Sequence, residues 1–293
     1  MAVTLTVNEK ITTLVAALAI CATPIFAQWE KRPNPSVPRL ANGQPNLDAP
    51  TPKAADGHPD LSGLWTRAPG DGRGRGRGAN ATPPPPPPPG TPPVATFGDL
   101  GTNMPGGLPL TPWGDELKKK RMALDSKENP DANCMPMGFT QFHQQPQPRE
   151  IIQLRDKLLI LYEANYGLRQ IYTDGRSLPK QGDPQPQWYG YSVGRWDGDT
   201  LLVESNNLRG AEDGPFDGWL DVRGSPYSRD AKFTERFTRP TFGRLMIDVT
   251  VDDPKAYTKP FTVRINQQIM ADTELIEFIC NENQQFRRRV KID

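Results

Sequence analysis

The chain has 293 residues, with 35 Lys and Arg against 34 Asp and Glu and a formal net charge of +1. So even a balance excludes the strong field by which proteins hold nucleic acid or anionic lipid. It leaves a small organic molecule of neutral or mixed polarity as the expected partner.

Residues 1–27 read as a signal peptide. Lys10 precedes the apolar stretch Ile11–Phe26, which Thr and Pro interrupt and which is too short to span a bilayer. Ile25-Phe26-Ala27 supplies a cleavage site, so the expected protein is periplasmic or secreted and cut after Ala27. Lipid anchoring at Cys21 is the lesser alternative, because Ile20 stands where a lipoprotein signal carries a small residue. No later stretch reads as a transmembrane segment. Cleavage leaves Cys134 and Cys280, and two cysteines in an oxidising compartment predict one disulfide. Neither has the His and Cys neighbours of a zinc site, and no phosphate loop or dinucleotide fingerprint is present, so no metal and no cofactor is expected.

Residues 28–59, rich in Pro, Asn and Ala, read as an extended linker, and 60–66 (Asp60-Leu61-Ser62-Gly63-Leu64-Trp65 and Thr66) as a first strand. Residues 67–99 form a Pro/Gly/Arg-rich insertion. Arg73, Arg75 and Arg77 alternate with Gly, and Pro83 to Pro89 follow. Such composition buries too little apolar surface to order itself, and the prolines favour polyproline II. Residues 100–293 read as a single β domain. Thr111 is a good N-cap, Pro112 suits the first helical position, and Asp115 and Glu116 fall in the first turn, which predicts one helix over about 112–124.

Strands are expected at Arg149–Leu154, Lys157–Glu163, Leu168–Thr173, Tyr189–Trp196, Thr200–Ser205, Lys232–Thr238, Arg244–Val251, Phe261–Ile269, Glu274–Cys280 and Phe286–Val290. Asp197-Gly198 is a strong hairpin signal between two of them. About ten short strands without intervening helices predict a mainly β fold, antiparallel, barrel-like in the manner of calycins and lipocalins, or a sandwich.

Period-two alternation then assigns faces. Phe233, Glu235 and Phe237 share one face, as do Leu275, Glu277 and Ile279; Phe286, Arg288 and Val290; and Leu159, Leu161 and Glu163. A buried unpaired charge costs several kcal/mol, so Glu163, Glu235, Glu277 and Arg288 must be paired, bound to a ligand, or set at a wet rim. Tyr172-Thr173-Asp174-Gly175-Arg176 is a tight turn at a strand end, with Trp188, Tyr189 and Tyr191 nearby as an aromatic wall. Glu235, Glu277 and Asp174 are the candidate acids and bases, and Arg176, Tyr172, Glu163, Trp188, Tyr191 and Arg288 the candidate ligand contacts. Gly190-Tyr191-Ser192-Val193-Gly194 matches the serine-hydrolase elbow, with His143 as the base available to it. That pattern needs a helix after it, and here it lies within a strand.

These readings support an exported β-barrel that binds a small organic ligand in a partly polar pocket. The alternatives are a hydrolase or lyase using its Glu and Asp residues, and a cell-envelope interaction module. Whether the chain is an enzyme, and its oligomeric state, stay open at this point.

The chain also resembles a family of exported proteins of soil bacteria to which no activity is assigned. The resemblance is carried by Asp60–Trp65, Leu110–Gly114, Cys134-Met135-Pro136, Ile171–Arg176, Gly190–Leu201, Trp219-Leu220-Asp221, Glu235-Arg236-Phe237, Asp252–Pro260 and Glu274–Asn283. It covers most of the chain beyond Leu100 and implies one shared domain. Members carry a His after the Asp-Gly-Arg turn and another near Trp-Leu-Asp, where this chain has Ser177 and Tyr227. Gly63-Leu64-Trp65 is also similar to the opening of lipocalin-like barrels.

Overall fold

A computed structural model describes residues 31–69, 88 and 90–280, apart from the side chain of Tyr166. The signal segment 1–27, most of the insertion at 67–99, and the strand expected at Phe286–Val290 with its Arg288 lie outside the described residues.

Nine strands close into one barrel: β1 (Gly63–Arg67), β2 (Arg149–Gln153), β3 (Lys157–Tyr162), β4 (Gly167–Tyr172), β5 (Tyr191–Asp197), β6 (Thr200–Asn206), β7 (Lys232–Thr241), β8 (Arg244–Asp252) and β9 (Phe261–Ile269). Neighbours in sequence are neighbours in the wall, and β9 pairs antiparallel with β1 through Trp65 opposite Ile269. The alternating apolar rows dictate this closure. Leu245, Ile247, Val249 and Val251 from β8 and Phe261, Val263 and Ile265 from β9 are all buried, while the residues between them face outward. Gly198, at φ +60°, makes the β5–β6 turn, and Asp197 lies opposite Thr200. Pro240 sits where the β7–β8 register shifts, at a bulge that needs no donor from it.

The wall is not wholly antiparallel, as the sequence suggested. β4 and β5 run parallel, joined only at Ile171 with Ser192 and Tyr172 with Val193. Parity requires this. A ring of nine strands cannot alternate direction all the way round, so one neighbouring pair must run the same way.

Closure also removes the strand expected at Glu274–Cys280. Once β9 has paired with β1, no free edge remains for a tenth strand. Residues 273–279 run without ladder partners to Cys280, which is bonded to Cys134.

The helix α1 (Pro112–Ala123) is capped by the Thr111 hydroxyl, which accepts from the Gly114 amide at 3.2 Å. Its Arg121 is buried over the Trp219 ring and donates to the carbonyls of Asp217, Gly218 and Gly224, which fastens the helix to the long β6–β7 excursion. The segment 28–59, read as a linker, is from residue 31 a run of tight turns lying on the barrel. Val37 and Ala49 are buried there, and the β7–β8 turn donates from Phe242 and Gly243 to the carbonyls of Ala49 and Leu47.

Among the described residues no helix is long and apolar enough to cross a membrane.

Candidate functional site

The barrel interior is occupied by its own chain. Residues Met137 to Gln145 are buried, including the short helix α2 (Gln141–Gln144), and they lie against inward side chains of β3, β4 and β7. Phe139 stacks on Phe233 with ring centres 3.9 Å apart, and Phe142 packs against Tyr162 at 5.3 Å. Arg149, inward from β2, donates to the carbonyls of His143, Gln145 and Gln147 and so caps the C-terminal end of α2. Burial, with the like charge of Arg67, lowers its guanidinium pKa to about 10.

Period two places Glu235 inside, as the alternation of Phe233, Glu235 and Phe237 predicts, and its exposure is 0%. Its carboxylate meets His143 Nε2 at 2.7 Å and accepts from both terminal nitrogens of Arg169, a charge-assisted fork. Arg169 continues to Ser192 Oγ and Ser205 Oγ, each 3.0 Å from Nη2, and the two hydroxyls are 2.8 Å apart. Burial opposes charge on Glu235, but Arg169 and His143 outweigh it and hold its pKa near 2. Burial acts first on His143 and lowers it to about 4, against the pull of Glu235. The imidazole is therefore neutral at neutral pH. Facing an ionised carboxylate, Nε2 must carry the hydrogen, and Nδ1 is the bare nitrogen.

This cluster is sealed, and it does not make an activated serine. Ser192 bonds to Arg169 and Ser205, while His143 is engaged by Glu235. The other proposed acids do not join it. Glu277 is exposed in the chain following β9, and Asp174 is exposed and forked to Arg176 at 2.6 Å. Glu163 is buried but not on a face with Leu159 and Leu161. The buried row of β3 is Leu158, Ile160 and Tyr162, and the backbone has turned helical at Glu163.

The aromatic expectations converge elsewhere. Where β4 and β5 part, from Gly167 to Gln170, the barrel wall opens into a cleft of about 380 Å³. Tyr172, Trp188 and Tyr191 line it, with Leu168, Tyr189 and the exposed amides of Gln170 and Gln187. Tyr172 and Tyr191 stack at 5.4 Å; Arg176 lies 3.8 Å over Tyr172 and donates to the Tyr191 hydroxyl at 3.0 Å. Arg176 is thus spent on the Asp174 turn and on the end of the aromatic wall. Arg209, paired with Asp217, sits 4.8 Å over Trp188. Gly190, at φ +62°, turns the chain between Tyr189 and Tyr191, and a Cβ there would strike the Asn206 carbonyl and Leu208. Tyr189 stacks on Tyr162 inside the barrel at 5.7 Å, and Ser192 lines the cleft while bonding to Arg169.

A larger hollow of about 610 Å³ lies at the barrel end, between residues 34–37 and 269–275. Its guanidinium, Arg239, is already committed to the carbonyls of Asp60, Ser62 and Phe242. Among the described residues no group of three or more His, Cys, Asp or Glu could hold a metal ion.

Comparison with known proteins gives no match: no family model, curated protein or solved structure is similar to the chain.

Proposed function

We propose that the chain is an exported β-barrel binding protein that takes a small uncharged organic ligand in the cleft at the β4–β5 seam. The observation that carries this is the meeting of Tyr172, Trp188 and Tyr191 beside two exposed amides, at the parallel joint that two residue pairs hold in register. Concave sites that bury apolar rings and orient them with a few polar groups are the usual form of a small-molecule site. Arg176 and Arg209, which lie over Tyr172 and Trp188, are each paired with a carboxylate, and no charged side chain lines the cleft itself, which favours a neutral ligand; Lys157 stands 5.8 Å over Tyr172. A hydrolase or lyase built on Glu235, Glu277 and Asp174 has less support, since the three carboxylates lie in separate surroundings.

The test is a thermal-shift screen of the exported chain with uncharged ring compounds. A ligand of the cleft raises Tm with concentration, and Trp188→Ala removes the rise. Hits that survive Trp188→Ala, or a panel without hits, would sink the reading.

A further inference from the structure

We infer that the ligand of the cleft is a short neutral saccharide, held by a sugar ring laid on Trp188 and by hydroxyls bonded to the Gln170 and Gln187 amides. The inference rests on the cleft being a site for an uncharged ligand and names the class of that ligand.

The lining asks for a molecule that is apolar on its faces and polar at its rim. Tyr172, Trp188, Tyr189 and Tyr191 bring their rings to one cleft, with the exposed amides of Gln170 and Gln187 beside them. An aromatic face carries partial negative charge. A pyranose answers it with a patch of C–H bonds, whose hydrogens are weakly positive, and surrounds that patch with hydroxyls. Each side-chain amide has a carbonyl that accepts and an NH2 that donates, so it meets both roles that neighbouring hydroxyls offer. Tyr191 adds a donor: its oxygen accepts from Arg176 Nη1 at 3.0 Å, which leaves its own hydrogen for a ligand oxygen. Trp188 is the ring best placed to stack. Arg209 lies 4.8 Å over it without lining the cleft, so the guanidinium backs the face turned away from the ligand. Tyr172 and Tyr191, stacked on each other at 5.4 Å, form the adjoining wall.

Other ligand classes fit this lining less well. A cation would meet rings that already face Arg176, Lys157 and Arg209. An anion finds no Lys or Arg in the lining. A hydrocarbon or a plain aromatic ring would cover the amides without replacing the water bonds they lose, a cost that hydroxyls remove. At about 380 Å³ the cleft is near the lower end of the ~300–1,000 Å³ usual for ligand pockets, which suits a mono- or disaccharide.

The experiment is saturation-transfer NMR on the exported chain with methyl glucoside, methyl galactoside, maltose and cellobiose, alongside glucuronate, choline and phenol. Saturation should reach the C–H protons of one ring face in at least one neutral sugar, and neither glucuronate nor choline. Trp188→Ala abolishes the effect, and Trp188→Phe, which keeps a ring, retains it. Gln170→Leu with Gln187→Leu changes two exposed side chains and leaves the packed interior alone, and it weakens the sugar about tenfold. Phenol binding through Trp188 without any sugar overturns the inference and leaves the uncharged-ligand reading standing. Sugar binding that survives both Trp188→Ala and the paired Gln changes puts the sugar outside the cleft and overturns the inference. Choline or glucuronate acting through Trp188 overturns it together with the uncharged-ligand reading. No binding by any of these compounds overturns the inference, and the thermal-shift panel then decides the broader reading.

Discussion

The Glu235 carboxylate and the His143 imidazole meet at 2.7 Å inside the barrel, and neither is accessible to solvent. Glu235 comes from the wall and His143 from the inserted segment, so the bond ties one to the other. Around the pair stand the guanidinium groups of Arg169 and Arg149 and the Tyr162 ring.

Acid should loosen this tie in two stages. His143 has a folded pKa of about 4 against an ordinary 6.5, so the unfolded chain takes its proton first as pH falls. Its contribution is complete above 6.5 and lost between 6.5 and about 4, a fall on the order of 3 kcal/mol. Glu235, held near 2 against 4.5, loses its contribution between 4.5 and about 2. Asp131 and Asp221, whose carboxyls burial raises, act in the opposite sense in acid. Urea unfolding between pH 7 and 4 should show the first slope, and His143→Gln should flatten it. An unchanged slope in that variant would count against the assignment.

Breaking the Arg169–Glu235 fork from one side leaves a buried charge without its partner. Arg169→Met should cost about 3–5 kcal/mol. Arg169→Met with Glu235→Leu should cost much less than the two single changes added together, since neither charge is then stranded. Additive values from chemical denaturation would mean that the two residues are not coupled as the geometry requires.

Glu235 shows how far the sequence could be read. Its inward position follows from strand period alone. Its partner was hidden, because β4 reverses the usual apolar logic: Leu168 is 49% exposed while Arg169 faces in. Counting by twos from Ile171 places Arg169 on the buried face, and that is the signal that would have found it. His143 lies beyond such counting, in a segment without periodicity, where the sequence offers it only as a base for Ser192. Eight wall strands after β1 were legible from alternation and turns. The parallel joint was not, because the Thr173–Gly190 connection is long enough to return the chain in either direction. Leu275, Glu277 and Ile279 alternate as a strand does, yet closure by β1 and β9 leaves them nothing to pair with.

The inserted segment enters beside the Trp219 backbone. A Cβ on Gly138 would overlap the Trp219 carbonyl, which is main chain and cannot swing aside. Gly138→Ala should therefore destabilise by about 3 kcal/mol. Gly98→Ala, where a Cβ meets nothing within 4 Å, should stay within about 0.5 kcal/mol of the parent. Equal melting temperatures for the two would contradict the packing at Gly138.

The Cys134–Cys280 bond joins residues 146 positions apart and fastens the chain beyond β9 to the approach of the inserted segment. Loop-closure entropy allows up to about 5 kcal/mol. Cys280→Ser, or reduction, should lower stability toward that figure. Cys134→Ser with Cys280→Ser should add nothing to either single change. A double variant clearly weaker than both would show a second role for one of the thiols.

The odd ring has a consequence for where this molecule breathes. Eight joints of the wall are satisfied and the ninth is frustrated, much as opposed spins cannot alternate around a loop of odd length. At that joint two rungs hold β4 to β5. Ser192 belongs to one of those rungs and to the Arg169 network behind it. When the rung parts, solvent reaches the guanidinium from the side, without the barrel ends unravelling. The weakest line in the wall thus runs from the aromatic cleft to the interior charge, and the amides that bridge β4 and β5 should exchange before those between any other strand pair.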